Sequence, residues 1–384
     1  MSKFKNAIDQ INKPIADMAK QQEELKKTVN TDKIAGIDVK QAETEPAVAD
    51  ITKTEFTENT DTPASENIDN KSKSKKEKAD KKKEKKPKVK KIKKEKAPKK
   101  KKEVNRTVKF KVKLITAIVL IFLILVGSAA NYNLNNQLKP TFYQLQSDKV
   151  VDNVRVVAIA DMHLKEFGDN NVKLVEKIKS YHPDIIAIAG DMNIEDNPDY
   201  SVVLNLCARL NEIAPVYYSL GNHEIDAMLF KDSQIYYDLK SIGVNILNNE
   251  KDTIEVGLSK IDVIGLTQNP KEFREYGKKF FDKAMSEGDN FKLVLTHYPE
   301  NFDGVIEEYP IDLAICGHTH GGLVRLPVIG GMYAADQGLL PALCDGYHEI
   351  ENSKIIITRG LGRSGIVPRI NNAPEISIVD INWY

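Results

Sequence analysis

Five short apolar segments in the C-terminal part of the chain are each followed, directly or after one glycine, by an aspartate, an asparagine or a histidine. Such segments are typical of buried strands, and helical patterns separate several of them. In an α/β sheet the carboxyl ends of the strands meet at one edge, where ligands bind. We therefore expect the polar residues to converge. They form the groups Asp161-Met-His163, Gly190-Asp191, Gly221-Asn222-His223-Glu224, His297 and Gly317-His318-Thr-His320.

The placement of the histidines indicates a metal site. The chain has seven histidines and five lie in these groups, whereas His182 and His348 lie outside and are interpreted as structural. Imidazole and carboxylate ligands without thiolate suit Mn, Fe or Zn. Because the groups offer more ligands than one ion takes, we expect two divalent metal ions that share one carboxylate. Such a pair clamps the attacking and leaving oxygens of a phosphoryl displacement.

The order of these groups resembles that of the calcineurin-like metallophosphoesterases, over about residues 151–384. The strings Gly317-His-Thr-His-Gly-Gly322 and Arg359-Gly-Leu-Gly362 are similar to those of the membrane-associated bacterial branch of that family. The resemblance implies an α/β fold, a four-layer sandwich of two mixed β-sheets flanked by helices. We expect specificity to differ from that of relatives in the residues between Ile225 and Leu293 and after Arg325.

The resemblance also implies a role for each residue of the groups. The first metal would be held by Asp161, His163 and His320, and the second by Asn222, His297 and His318. Asp191 would bridge the two ions, and His223 would lie near the leaving-group oxygen. On this arrangement a metal-bound hydroxide attacks the phosphorus of a phosphate mono- or diester. His223 then donates a proton or a hydrogen bond to the leaving oxygen.

Four of the eight arginines lie close together near the C-terminus, at Arg325, Arg359, Arg363 and Arg369. A guanidinium binds phosphate through two parallel hydrogen bonds. Arg325, Arg359 and Arg363 are therefore candidates for contact with the substrate. The alternative is ordinary surface salt bridging.

A strong charge asymmetry divides the chain, although its formal net charge is only +1. Residues 71–113 hold 24 Lys and Arg against 5 Asp and Glu, which excludes a basic catalytic domain because the basic charge lies in this one segment. We expect this Lys-rich segment to be disordered and extended by self-repulsion. Residues 31–70 contain little apolar surface and are also expected to be disordered. Residues 1–30 carry a short heptad pattern, which predicts a short amphipathic helix or a coiled coil.

An uncharged apolar stretch, residues 114–130, follows the Lys-rich segment. It predicts a transmembrane helix over 114–134, an uncleaved anchor, followed by a juxtamembrane linker over 135–150. The Lys-rich segment is then expected to contact anionic lipids of the cytoplasmic leaflet. The positive-inside rule places the N-terminal arm in the cytoplasm and the catalytic domain outside it. Residues 71–105 contain no aromatic side chain for base stacking, which argues against a nucleic-acid partner.

Three functions remain open at this point. The first is a single-pass, membrane-anchored metallophosphoesterase. The second is a hydrolase of lipid-linked diphosphates, similar to the UDP-2,3-diacylglucosamine hydrolases, since a substrate in the bilayer would explain the anchor. The third is a surface-binding protein that acts through its Lys-rich arm.

Overall fold

A computed structural model describes residues 106–384, except for 268, 303–308, 364 and 366. The expectations for 1–30, for 31–70 and for most of 71–113 therefore lie outside the described residues. The first described element is helix α1, Arg106–Asn135. Residues 106–113, which the charge pattern predicts to be disordered, form the start of this helix. No proline or glycine interrupts the chain between Arg106 and Val126, so the apolar helix continues back into the basic residues.

Residues Val108–Asn135 of α1 are long and apolar enough to cross a membrane. Their most apolar window is not buried against the rest of the chain. The helix is apolar on all sides, which distinguishes it from an amphipathic helix that packs on a protein core.

The remaining elements alternate as the apolar segments predict. The further helices are α2 (Val172–Lys179), α3 (Ser201–Asn211), α4 (Asn222–Phe230), α5 (Ile235–Ser241) and α6 (Lys278–Ser286). A helical turn at Pro270–Glu272 and a π-helical turn at Phe273–Gly277 lead into α6. Single 3-10 turns lie at Asp169–Asn171, Pro299–Phe302 and His320–Gly322. The strands of the described residues are, in chain order, β1 (Lys139–Gln146), β2 (Val154–Ile159), β3 (Ile185–Ala189), β4 (Val216–Ser219), β5 (Asn245–Ile246), β6 (Glu250–Val256), β7 (Ser259–Leu266), β8 (Phe291–Thr296), β9 (Leu313–Cys316), β10 (Arg325–Leu326), β11 (Gly330–Gly331), β12 (Tyr333–Ala334), β13 (Gly338–Leu339), β14 (Gly346–Ile350), β15 (Ser353–Ile357) and β16 (Glu375–Asn382).

Two six-stranded mixed sheets form the centre of the fold. The first has the order β1-β16-β2-β3-β4-β5 and the second the order β14-β15-β9-β8-β7-β6. Strands β2 to β5 are mutually parallel, as are β7, β8, β9 and β15. Two two-stranded ribbons, β10-β11 and β12-β13, lie in the segment after the second sheet's β9.

The core lies between the two sheets. Val156 and Ala187 of the first sheet belong to one buried cluster with Leu293 and Ile315 of the second. On its other face the second sheet is covered by Phe281 of α6 and its neighbours. Buried apolar residues of α2 and α3 lie against the first sheet, so the fold has four layers, as predicted.

Residues 135–150, predicted to be a linker, contain strand β1. It pairs in parallel with β16, and Lys139 lies opposite Glu375. Its side chains are mostly exposed or half-buried and polar, which is typical of an edge strand. The sequence of β1 therefore contains no apolar run from which a strand could be predicted. The folded domain therefore begins directly after α1 and before residue 151.

Candidate metal centre

The loops after β2, β3, β4, β8 and β9 meet at one edge of the two sheets. A hydrogen bond from the Gly317 N–H to the His297 carbonyl (3.1 Å) joins the loops after β8 and β9. Another, from the His318 N–H to Asp161 Oδ1 (3.0 Å), joins the two sheets. Several residues here have left-handed backbone angles, with φ of 52° at Asp161, 53° at Asp191 and 72° at His318. Such strained angles cluster at functional sites.

Gly190 allows this convergence. It has φ of +80°, and a Cβ there would lie 2.6 Å from the Gly221 nitrogen and 2.7 Å from His297 Nδ1. The loop before Asp191 therefore passes so close to its neighbours that no side chain fits.

One group of side chains contains Asp161, His163 and His320, all buried. The Nε2 atoms of the two histidines face one another at 3.2 Å. Two nitrogen ligands on one ion, at bonds of about 2.0–2.1 Å and near-tetrahedral angles, lie roughly 3.3 Å apart. The spacing in the structure is that of two ligands of the same metal.

A second group contains Asp191, His297 and His318, also buried. His297 Nε2 lies 3.1 Å from Asp191 Oδ2 and 3.1 Å from His318 Nδ1. His297 Nδ1 donates to the Ala189 carbonyl at 2.7 Å, and a carbonyl can only accept. The other nitrogen, Nε2, is thereby left to face the group, which is how a protein orients a metal-binding histidine.

Asp191 Oδ2 lies between the groups. It is 3.1 Å from His297 Nε2, 3.9 Å from His163 Nε2 and 3.8 Å from His223 Nε2. A third possible ligand set, His163, Asp191 and His223, arises from these distances. One carboxylate therefore faces histidines from both sides.

Two buried oxygens support a bound cation. Asp161 Oδ2 and Asn222 Oδ1 are buried and have no hydrogen-bond partner among the described residues. A buried acceptor without a partner is costly, and a cation satisfies it. Together with neutral imidazoles and carboxylates, these oxygens fit divalent metal ions.

Burial and charge tune the ionisation of the group. Burial raises the pKa of Asp161 to about 6 and lowers the pKa of His163 to about 4. It also lowers the pKa of His320 well below its usual range. Because metals bind the unprotonated imidazole, His163 and His320 are kept in the binding form at neutral pH.

Asp191 and His297 each favour the charged form of the other. Burial alone would raise the pKa of Asp191, but the charge and hydrogen bond of His297 hold it well below the usual range. Burial alone would lower the pKa of His297, but Asp191 raises it to about 10. Because metals bind the unprotonated imidazole, an ion here would replace the His297 proton as the cation beside Asp191.

Glu224 supports the centre from behind, a role that the sequence analysis does not assign. It is buried, and its carboxylate accepts hydrogen bonds from the backbone N–H groups of Asp191, Asn193 and Gly221, each at 2.9 Å. One side chain thereby ties the loop of Asp191 to the loop of Asn222. Its position next to His223 in the chain is the only sequence signal of this role.

Two further carboxylates contact histidines of the centre and are also new. Glu195 contacts His223 Nδ1, and Asp336 Oδ2 lies 3.0 Å from His318 Nε2. Glu195 is four residues beyond Asp191 and Asp336 lies in the C-terminal segment, so neither belongs to a motif. Carboxylates on the far nitrogen of a histidine orient the ring.

The candidate arginines make contacts inside the protein. Arg325 Nη1 lies 2.7 Å from Asp345 Oδ1, and Arg359 Nη2 lies 3.4 Å from Glu375 Oε1. Arg369 is buried and donates to backbone carbonyls, including those of Arg359 and Gly362 at 2.7 Å. Arg363 lines a cleft beside α1. The structure therefore places none of these four among the side chains that line the cavity at the centre.

That cavity has a volume of about 290 Å³. Its polar lining consists of Asp191, Asn222 and His223, with His318 and His320. Leu323, Tyr333 and Val367 supply apolar lining. The cavity therefore combines the polar residues of the centre with an apolar part.

Comparison with known proteins identifies the domain. Residues 154–322 match the family model for the calcineurin-like phosphoesterase domain. The chain is 25% identical to phosphodiesterase YaeI of Escherichia coli over 269 residues, which cover 67% of this chain and 94% of that protein. It is 25% identical to metallophosphoesterase YkuE of Bacillus subtilis over 65% of this chain and 87% of that protein. A transmembrane protein with a metallophosphoesterase domain from Danio rerio is 24% identical over 66% of this chain and 60% of that protein.

The family match spans strand β2 to Gly322 and thus every loop of the metal centre. The chain therefore contains a calcineurin-like phosphoesterase domain, and its relatives indicate a hydrolase of phosphoester bonds.

Proposed function

We propose that this chain is a membrane-anchored phosphoesterase that hydrolyses phosphate mono- or diesters with two divalent metal ions. The observation that carries the proposal is the position of Asp191 Oδ2, which faces His297 on one side and His163 on the other. A carboxylate in that position can serve two ions at once. The name of the E. coli relative, a phosphodiesterase, supports diesters as substrates.

The two groups suggest the division of the ligands. We assign Asp161, His163 and His320 to one ion and Asn222, His297 and His318 to the other, with Asp191 shared. Asn222 fits this assignment because its buried Oδ1 faces no donor among the described residues.

Bound divalent ions supply a water of lowered pKa and positive charge for the phosphate oxygens. The protein supplies the orientation. Asp191 Oδ1 accepts a hydrogen bond from the His223 N–H at 3.0 Å, so the turn that carries His223 is held against the centre. Glu195 contacts Nδ1 of His223, which leaves Nε2 to face the cavity and donate to a leaving oxygen.

His223 also meets the distance criterion for a metal ligand, with His163 and Asp191. We assign it to proton donation because its neighbour Asn222 is assigned to the metal, and because the His223 side chain lines the cavity with Glu195 at its Nδ1. A group that must reach substrate needs this access.

The test is hydrolysis by the full chain in a lipid bilayer, loaded separately with Mn, Fe and Zn. The substrates are nitrophenyl mono- and diesters and a nucleotide-linked lipid diphosphate. We expect hydrolysis of at least one nitrophenyl ester that a chelator abolishes and metal restores. Hydrolysis of the diphosphate alone would favour the lipid-linked diphosphate hydrolase, and no hydrolysis with any metal would contradict the proposal.

We further propose that α1 crosses the membrane with the catalytic domain outside the cytoplasm, since the positive charge precedes the span. Protease added to intact spheroplasts should then remove residues 131–384 and spare the N-terminal arm. A cytoplasmic protein probed in parallel should stay intact. Protection of the domain in intact spheroplasts, with digestion after lysis, would reverse the orientation.

A further inference from the structure

An apolar surface lies beside the catalytic cavity. Residues 326–344 include a single charged side chain, Asp336. Large apolar side chains in this segment are exposed instead of buried, with Val328 at the ribbon tip and Leu339 77% exposed. We call this surface the apolar rim, and its members are Leu326, Val328, Ile329, Tyr333, Leu339, Leu340, Val367 and Ile370. Exposed apolar patches of this kind mark interaction sites.

The rim is continuous with the mouth of the cavity. Tyr333 and Val367 belong to the rim and also line the cavity wall. Tyr333 is paired with Leu339 across the β12-β13 ribbon. The two segments of the rim are joined, because the Arg325 N–H donates to the Ile370 carbonyl at 2.9 Å.

The rim is also attached to the end of α1. Asn131 and Asn135, in the last turns of the helix, both donate to the Arg369 carbonyl, at 2.8 and 2.9 Å. The Asn371 N–H donates to Asn131 Oδ1 at 3.2 Å. Arg369 and Asn371 flank the rim residue Ile370, so the helix end and the rim are held next to one another.

Sheet topology places both at the catalytic edge. Strand β16 runs antiparallel to β2, with Ser377 opposite Ala158, so β16 begins where β2 ends. Strand β1 is parallel to β16 and Lys139 lies opposite Glu375. The chain therefore leaves α1 at the same edge of the sheets that carries the metal centre.

Basic side chains complete this side of the domain. A cleft of about 780 Å³ lies between α1 and the domain and is lined by Lys165, Arg363 and Arg369. Ile124 and Gly127 of the apolar helix line the same cleft. Positive charge beside the end of a membrane span complements lipid phosphates.

We propose that the apolar rim inserts into the bilayer leaflet in which α1 ends, so that the catalytic cavity opens on the lipid headgroup layer. The occupant of the rim is thus the membrane that the helix itself crosses. This inference rests on the proposed function. The placement of the cavity favours phosphoesters carried by a lipid as the substrate class. Their phosphates lie at the depth of the cavity, while soluble esters gain nothing from the rim.

The depth of the rim can be measured without any activity. An environment-sensitive fluorophore is attached to cysteines introduced singly as Val328→Cys, Leu339→Cys and Leu258→Cys in the full chain, reconstituted into bilayers. The native cysteines are buried. Leu258 is the matched control, since it is 75% exposed and its N–H binds Asp152, just before β2, at the opposite edge of the sheets. Apolar surfaces of interfacial proteins insert about 5–10 Å, so acyl-chain spin labels should quench the fluorophores at 328 and 339 and spare that at 258.

A second arm separates the rim from the chemistry. The double variant Val328→Asp with Leu339→Asp, and the control Leu258→Asp, are assayed on two diesters with the same nitrophenyl leaving group. One is the nitrophenyl ester of phosphatidic acid in the bilayer, and the other is soluble bis(nitrophenyl) phosphate. Because rim binding scales with buried apolar area, we expect about a tenfold loss on the lipid ester only, in the double variant only.

Equal quenching at the three labelled positions would overturn the rim proposal, and so would equal losses on the two esters. A wild-type chain that hydrolyses neither ester would contradict the proposed function instead, and the quenching would still decide the position of the rim.

Discussion

Replacing Asp191 with asparagine should remove at least one metal equivalent and lower turnover together. Asp191 Oδ2 faces histidines of both groups, at 3.1 Å from His297 Nε2 and 3.9 Å from His163 Nε2. An amide in its place carries no charge, so two cations would lie close together with less screening between them. Residues that only orient a ligand change metal affinity by about 10–100-fold. We expect a larger loss here.

Metal content per chain, measured after gel filtration, checks this result. The matched control is Asp336→Asn, the same change at a carboxylate that reaches only the far nitrogen of His318. It should weaken metal binding within the range of about 10–100-fold expected of orienting residues. Asparagine can still accept the His223 N–H, and circular dichroism of Asp191→Asn in chelator checks that the variant is folded. Two full metal equivalents in Asp191→Asn would refute the bridging role.

Changing His223 to alanine should keep both metals and still lower turnover by about 10²–10⁴, the range for general acid catalysis. His163, His297, His318 and His320 should behave differently, because each alanine there removes a direct ligand and lowers metal occupancy. The loss in His223→Ala should shrink for a nitrophenyl leaving group, which needs little protonation. It should stay large for an alkyl ester.

Glu195→Gln and His182→Ala are the controls for this variant. Glu195 contacts the far nitrogen of His223, so its loss should lower turnover on alkyl esters by less than His223→Ala does. His182 lies at the surface, away from the centre, and its alanine variant should be unchanged. Equal losses on both leaving groups would indicate that His223 positions substrate. Loss of metal would make it a ligand, as its distance to Asp191 permits.

The strand pattern and the motif groups could be predicted from the sequence because each depends only on residues that are neighbours in the chain. Buried parallel strands are continuous apolar runs, and the residue that follows each run lies at the sheet edge whatever the rest of the chain does. For this reason a layered α/β fold and the convergence of the Asp, Asn and His side chains could be predicted from the apolar segments, whereas the four-layer arrangement came from the family resemblance. Strand β1 escaped prediction because its half-exposed, polar sequence is stabilised by pairing with β16, more than 200 residues away.

Glu195 and Asp336 could not be predicted from the sequence, because their roles depend on contacts between distant parts of the chain. Glu195 and Asp336 act by touching His223 and His318, and nothing in their local sequence marks a contact that forms only when separate loops meet. Arg325 and Arg359 lie in the same C-terminal part of the chain, and in the fold they face Asp345 and Glu375, which are the salt bridges that the sequence analysis gives as the alternative to substrate contact.

The sequence by itself determined which chemistry the chain carries, because ligand types and strand ends are set residue by residue. Only the tertiary structure decided how the metal centre is placed relative to the apolar helix α1. The pairing of β1 with β16 and the hydrogen bonds of Asn131 and Asn135 bring the apolar helix to the catalytic edge. Those contacts join residues far apart in the chain, and their geometry exists only once both sheets have formed.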